Sequence, residues 1–262
     1  MKASKQAENE FVKLLYIGTS GTGKTGSLAP LIADGYNLRI LDMDNGTDAL
    51  KQYISRDSPE LLDNLDYITL RDKMKSDRTM GAKVAGTPRA YTNAIGCLDK
   101  WDDDSIPAEW GDKTIFVLDS LTLFGRAAFR WAQGMNPTVK DPRQWYGAAQ
   151  ASIQDVIDLL TGGDFHAHVI VISHVDLVEL ADGTMKGYAS SIGKALGPKL
   201  PATFNTMLLA ESRGSGDNVK RTITTVPTTM IDLKNSAPFA LPKSLPLSSG
   251  MSTVFKTLRK LT

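Results

Sequence analysis

The chain has 262 residues, 42% of them hydrophobic and 23% charged, with a formal net charge of +1. This length and balance suit one large globular unit and exclude disordered, collagen-like and coiled-coil proteins. No run nears the roughly 18 apolar residues a membrane helix needs, and the opening MKASKQAENE lacks a signal-peptide core. With Cys97 the only cysteine, no internal disulfide or thiolate cluster can form, so a reducing, cytoplasmic compartment is expected.

Along the chain, short β-branched apolar runs alternate with helix-period segments, the βαβ pattern of a mostly parallel sheet. Strands are expected at Phe11 to Ile17, Leu38 to Asp42, Tyr67 to Leu70, Thr114 to Leu118, Val169 to Ser173 and Thr206 to Ala210. Helices are expected at Lys24 to Ala33, Thr47 to Ser55, Pro88 to Trp101, Leu121 to Gly134 and Tyr146 to Thr161, with Thr87 capping the third ahead of Pro88. Several strands are nearly continuous apolar runs, which implies helices on both faces. Asp72 to Thr87 and Val175 to Pro198 are polar, glycine-bearing and aperiodic, and are expected as mobile loops. After Ser212 the chain turns to Thr- and Val-rich runs (Val219 to Val226) and Pro-punctuated segments, read as antiparallel strands and turns.

The charge of +1 hides an asymmetry. Arg213 to Thr262 carry eight basic residues against two acidic, a charge of +6, which leaves −5 on the first 212 residues. A polyanion-binding face, or a surface that meets the acidic part of a neighbouring subunit, fits that division, as does an ordinary solvated surface.

The sharpest motif is Gly18-Thr19-Ser20-Gly21-Thr22-Gly23-Lys24-Thr25, followed by Gly26, placed directly after an apolar strand and before a helix. It matches GxxxxGK[ST], in which glycines let main-chain N–H groups curl around phosphate oxygens. Lys24 is placed to neutralise the β and γ phosphates, and Thr25 to offer its hydroxyl to Mg²⁺. The helix that follows turns its positive end to the same anion. Thr114 to Ser120 form an apolar strand ending in Asp119, a Walker B arrangement that holds Mg²⁺ beside the cradle.

Asp42 and Asp44 end the second strand on one face, and Asp44, farther out, is the candidate base for water, with Asp42 structural. His174 ends the run from Val169 and is placed to sense the γ phosphate, whereas His166 and His168 carry no such pattern. No other cysteine or carboxylate is spaced to complete a zinc site.

Strand, P-loop, acidic second strand, Walker B, and a strand with a polar tip before a Gly-rich loop resemble the RecA core over residues 11 to 240. With this chain length the sequence resembles the small phage RecA-like ATPases of the single-strand annealing and recombination type. The resemblance implies an α/β, RecA-like P-loop NTPase with a mostly parallel twisted sheet, helices on both faces and a C-terminal antiparallel extension. It implies one domain over residues 1 to 262, comprising a flexible N-terminus (1 to 10), the parallel core (11 to 212) and a basic β-rich extension (213 to 262).

Asp44 falls where the family keeps its catalytic Glu, and His174 where RecA carries its sensing Gln. Leu233-Lys234-Asn235-Ser236-Ala237-Pro238-Phe239 is similar to the stretch whose lysines reach a neighbour's ATP, which makes Lys234 a candidate finger in trans. Gly134 to Trp145 and Val175 to Lys199 match the family's two DNA-facing loops. Only ten residues precede the first strand, so the N-terminal polymerisation element of full RecA is expected to be absent.

What the resemblance implies for partners is ATP and Mg²⁺ as ligands, single-stranded DNA as substrate, a homo-oligomer with ATP at subunit interfaces, and a single-strand binding protein as a further partner. If the chain is phage-encoded, the compartment is the host cytoplasm. The candidate DNA contacts are Lys140, Arg143, Trp145, Tyr146, Lys186, Tyr188, Lys194 and Lys199, cations for phosphates beside rings for unpaired bases. Two other readings share the cradle: a loader or adaptor without DNA activity of its own, and a small P-loop kinase, the latter disfavoured because Arg71, Arg78 and Arg89 are too scattered for an Arg-rich lid.

Overall fold

The computed structural model of the protein describes residues 11–259. The segment 1–10, expected to be flexible, and Lys260 of the basic tail lie outside the described residues.

The first half of the chain contains β1 (Lys13–Gly18), a 3-10 turn at Gly26–Leu28, α1 (Ala29–Ala33), β2 (Asn37–Asp42), α2 (Asp48–Asp57), β3 (Leu65–Thr69), β4 (Met74–Asp77), β5 (Gly81–Val84), α3 (Ala90–Asp99) and β6 (Gly111–Asp119). The second half contains α4 (Leu121–Met135), α5 (Pro142–Thr161), β7 (Ala167–Ser173), β8 (Val175–Glu179), β9 (Met185–Ala189), β10 (Thr206–Arg213), β11 (Lys220–Thr224), β12 (Ser244–Pro246) and α6 (Leu247–Arg259). Eight strands form one sheet in the order β12-β11-β10-β1-β7-β6-β2-β3. All neighbours from β10 to β3 are parallel, while β11 and β12 add antiparallel at the edge.

Alternation along the strands sorts side chains onto two faces, because successive Cβ atoms point to opposite sides. Leu15, Ile17, Phe116, Leu118, Val169 and Val171 pack under α3, α4 and α5. Leu14, Tyr16, Ile115, Val117, Ile170 and Ile172 pack under α1, α2 and α6. Burial on both faces is why these runs lack a polar alternate. The mostly parallel architecture with an antiparallel C-terminal edge is the fold expected from the sequence.

The chain steps from β1 out to β2 and β3, returns through β6 and β7, and reaches the other side of β1 only with β10. The order therefore reverses at β1, and in open parallel sheets ligands bind beyond the carboxyl ends at such a point.

Four local readings need correction. Lys24 to Ala33 is not one helix but a 3-10 turn and a single short helix, since Pro30 lacks the N–H that the interior of a continuous helix needs and is accommodated only in the first turn of α1. The third helix starts at Ala90 rather than Pro88. Its first amides, Arg89 N and Ala90 N, donate to Asp72 Oδ1 (2.9 and 3.0 Å), so a carboxylate distant in sequence does the work assigned to Thr87. The expected loops at Asp72 to Thr87 and Val175 to Pro198 hold the antiparallel hairpins β4–β5 and β8–β9. Finally, the region after Ser212 is not simply β-rich, because it ends in α6, whose Met251, Val254, Phe255 and Leu258 are buried against the sheet.

Candidate nucleotide site

The cradle from Gly18 to Thr25 leaves the carboxyl end of β1. Gly21 and Gly23 have φ of 79° and 88°, a region that strains any residue with a Cβ. At Gly18 the requirement is space, since a Cβ would lie 2.6 Å from Ala210 O on β10. Thr22 Oγ1 donates to Thr19 O (2.9 Å), which ties the loop across its width. Ser20 is exposed at the loop's crest. Lys24 is buried and its Nζ donates to Gly18 O (2.8 Å) and Thr19 O (2.9 Å). Burial pulls the Lys24 ammonium below the ordinary lysine range, and the charges of Asp119 and Asp44 oppose that pull.

Walker B and cradle meet directly, with Thr25 Oγ1 donating to Asp119 Oδ2 at 2.5 Å. Burial pushes the Asp119 carboxyl up to about 6; the bond from Thr25 opposes this, and the neighbouring charges of Asp44 and Asp42 add to it. Among the described residues no three His, Cys, Asp or Glu converge as a metal cluster. Mg²⁺ commonly takes one or two protein oxygens and completes its shell with water and substrate phosphates, and the Thr25–Asp119 pair fits that pattern.

The two carboxylates of the second strand divide as their surroundings dictate. Asp42 is buried and fully engaged: Oδ1 accepts from Asp44 N (3.1 Å) and Gly46 N (3.2 Å), and Oδ2 from Thr47 Oγ1 (2.7 Å) and Thr69 Oγ1 (3.2 Å). It shapes the turn that presents Asp44. Asp44 Oδ1 accepts from Ser120 Oγ (2.7 Å) and Ser120 N (3.2 Å), and Oδ2 lies 3.2 Å from His174 Nε2. Burial by itself raises the Asp44 pKa, but the bonds from His174 and Ser120 outweigh it and hold the carboxyl below its usual value.

His174 follows β7, and its main-chain N donates to Thr122 Oγ1 (3.0 Å) on α4. Beside it, Ser173 Oγ donates to Ser190 O (2.7 Å) just past β9, while Ser190 N donates to His174 O (2.8 Å). His168 is a different case: buried at the other end of β7, its Nδ1 accepts from Val12 N (2.9 Å). Burial lowers its pKa to about 4, so it is a neutral core residue.

The remaining residues singled out from sequence fall elsewhere. Lys234 pairs with Met207 near the start of β10, and its ammonium donates to Pro201 O (2.9 Å), so it lies outside its own chain's cradle. Of the candidate DNA contacts, Arg143 forms a two-pronged pair with Asp141 (2.7 and 2.9 Å), and Lys186 pairs with Asp232 (3.0 Å). Trp145 Nε1 donates to Asn136 O (2.9 Å) and its ring packs edge-on to Phe129, while Tyr146 lies against the same Phe129. The second loop is tied to α5, through Gln150 Nε2 donating to Ile192 O (2.8 Å). Lys140, Lys194 and Lys199 are exposed, and Tyr188 is half-buried.

Four contributors were not legible in the sequence. Ser120 fixes Asp44, and only its place directly after the Walker B carboxylate marks it. Tyr53 on α2 and Arg221 with Leu247 from the C-terminal edge line a cavity of about 490 Å³ that opens beside Gly23 and Gly26. A Cβ on Gly26 would lie 2.6 Å from the Tyr53 ring, and one on Gly23 2.7 Å from Leu247 Cδ2. The cavity thus continues the phosphate cradle, and the basic character of the C-terminal stretch was the one available hint of Arg221.

No curated protein sequence matches the chain. Among solved structures the chain is similar to the KaiC-like protein of Pyrococcus horikoshii (TM-score 0.44, 10% identity, 90% of this chain and 84% of that one). It is also similar to the RadB recombinase (0.47, 16%, 81% and 79%) and to the flagellar accessory protein FlaH of Methanocaldococcus jannaschii (0.45, 11%, 89% and 83%). The AAA domain family matches residues 10–237, a span that opens ahead of β1 and runs through the cradle, Asp44, Asp119 and His174 to just past Lys234. With P-loop, Walker B strand and His174 all inside that span, the chain belongs to the AAA domain family of P-loop ATPases.

Proposed function

We propose that the protein binds ATP with Mg²⁺ at the cradle, hydrolyses it, and uses the cycle to act on single-stranded DNA in annealing or strand exchange, as a homo-oligomer with ATP at subunit interfaces. The observation that carries the reading is the meeting of Thr25, Asp119, Asp44 and His174 at one end of the sheet.

When ATP enters, the Lys24 ammonium exchanges the carbonyls of Gly18 and Thr19 for β and γ phosphate oxygens, while main-chain N–H groups of the cradle take the rest of the anion. Bound Mg²⁺ would offset the negative charge that develops on the phosphates. Thr25 Oγ1 and Asp119 would hold it, which replaces their mutual hydrogen bond. Asp44 is ionised at neutral pH and aligned by Ser120, so it can orient the attacking water and accept its proton. His174 is shared between Asp44 and the space for the γ phosphate, and its link to Ser190 passes its position on to the β8–β9 hairpin. Lys234, away from its own cradle, serves an ATP held by a neighbouring copy.

The direct test is turnover by the wild-type chain and by Lys24→Ala, with and without single-stranded DNA. Loss of turnover in the variant and stimulation of the wild type by DNA are expected. Undiminished turnover in Lys24→Ala would overturn the mechanism, and turnover indifferent to DNA would overturn the substrate.

A further inference from the structure

A concentration of unpaired positive charge lies outside the two loops that the RecA resemblance favours. It lies on the β4–β5 hairpin. Residues 71 to 89 hold six basic residues against two acidic ones, inside the half of the chain that is acidic overall. Arg71, Lys73, Lys75, Arg78 and Arg89 are exposed, and among the described residues their side chains make no ion pair. Only Lys83 is offset, by Asp77 (2.5 Å).

The pairing register sets Lys75 directly opposite Lys83. Like charges facing each other weaken a ladder, and a lone two-stranded hairpin is only marginally stable in water. Such an arrangement is tolerated best where an anion bridges the charges. Lys73, whose carbonyl accepts from Ala85 N just ahead of β4 (2.8 Å), and Lys75 are two residues apart, about 7 Å in extended chain, close to the separation of successive phosphates along an extended polynucleotide.

At the base of the hairpin, Arg71 meets Arg126 and Arg130 of α4 around a cavity of about 80 Å³. The two helix arginines are one turn apart and therefore neighbours. Asp72 closes this cavity. Its side chain is 2% exposed, its Oδ1 caps α3, and its Oδ2 has no hydrogen-bond partner but lies 3.6 Å from Arg130 Nη1, where it orients the guanidinium. Planar guanidinium forks suit the paired oxygens of a phosphate diester. The hairpin leaves the carboxyl end of β3, whose Thr69 touches Asp42, so it projects from the end of the sheet that holds the nucleotide site.

We infer that the β4–β5 hairpin, with the arginine cavity at its base, is the protein's contact surface for a nucleic-acid phosphate backbone. This rests on the reading of the protein as a DNA-dependent ATPase and assigns its DNA contact to a different segment. The patch holds cations and two exposed methionines, Met74 and Met80, but no aromatic ring. It therefore reads charge rather than sequence, and oligo(dT) and oligo(dA) bind it alike.

The test is binding of labelled thirty-nucleotide oligo(dT) to the full chain with Mg²⁺ and a non-hydrolysable ATP analogue, over a range of salt. For the triple variant Lys73→Ala, Lys75→Ala, Arg78→Ala, the slope of log affinity against log salt should fall by about 2 and binding should weaken by at least about tenfold. Basal ATPase and melting temperature should stay unchanged, because these side chains touch neither the cradle nor the core. The pair Lys73→Arg, Lys75→Arg should keep the wild-type slope. Wild-type affinity in the triple variant, with the loss appearing instead in Lys140→Ala, Lys194→Ala, would overturn this assignment and leave the DNA reading standing. No oligonucleotide binding by the wild type would overturn both. Wild-type sedimentation with phosphatidylserine vesicles in place of oligonucleotide binding would replace nucleic acid with a membrane surface.

Discussion

At the scale of single residues, the site sets one carboxylate against another. Asp119 is buried with two acidic neighbours, and its folded-state pKa of about 6 exceeds the ordinary 3.8. Between those values the folded chain holds a proton that the unfolded chain has released. Stability therefore declines as pH rises from about 4 to about 6 and stays lower above that. Asp119→Asn removes the buried charge, so at pH 8 without nucleotide it should melt higher than wild type by roughly 5 °C or more, with the gain vanishing below about pH 4. Scanning calorimetry across pH checks this, and the same variant should lose Mg²⁺-dependent turnover. Asp44 is the opposite case, held ionised by Ser120 and His174. Asp44→Asn should lower kcat by about 10²- to 10⁴-fold with KM for ATP nearly unchanged. Ser120→Ala, which only loosens Asp44, should cost less, and steady-state kinetics separate the two.

At the scale of elements, the β11–β12 edge and α6 do more than lengthen the sheet. They bring Arg221 and Leu247 to the cavity beside Gly23, opposite Tyr53 on α2. A ring half-exposed in a cleft that continues the phosphate cradle suits the nucleobase. Tyr53→Ala should therefore raise KM for ATP about tenfold or more, as expected for losing one base–aromatic stack, while kcat changes little. Equal effects on kcat and kcat/KM would place Tyr53 in the chemical step instead. Elsewhere, Ser173, Ser190 and Thr122 knot the tip of β7 to the β8–β9 hairpin and to α4. Any movement of His174 is thereby carried to both.

At the scale of the whole molecule, the division of charge and the placement of apolar surface point the same way. Phe239 is wholly exposed, five residues after Lys234 on the basic C-terminal part. A large ring left in solvent is a common anchor of protein interfaces. In the assembly proposed here it meets the more acidic body of a neighbouring copy. Phe239→Asp should thus reduce particle mass in the presence of ATP and DNA, read by light scattering, without altering the melting temperature of the monomer.

The amino-acid sequence by itself determined whatever depends on neighbours along the chain. The P-loop, the Walker B carboxylate, the acidic second strand and the main parallel strands are all local patterns, because a cradle must follow a strand and a buried strand must be apolar on both faces. Tertiary structure decided everything that depends on which segments meet. The capping of α3 by Asp72, the seating of Asp44 on Ser120, the approach of Tyr53 and Arg221 to one cavity, and the gathering of Arg71 with Arg126 and Arg130 all join residues remote in sequence. So does the removal of Lys186 from the pool of unpaired cations by Asp232, whereas Arg143 is paired by Asp141, its near neighbour along the chain. The hairpins within the two supposed loops stayed hidden for a related reason: their strands are only four or five residues long, and only pairing across a turn gives them order.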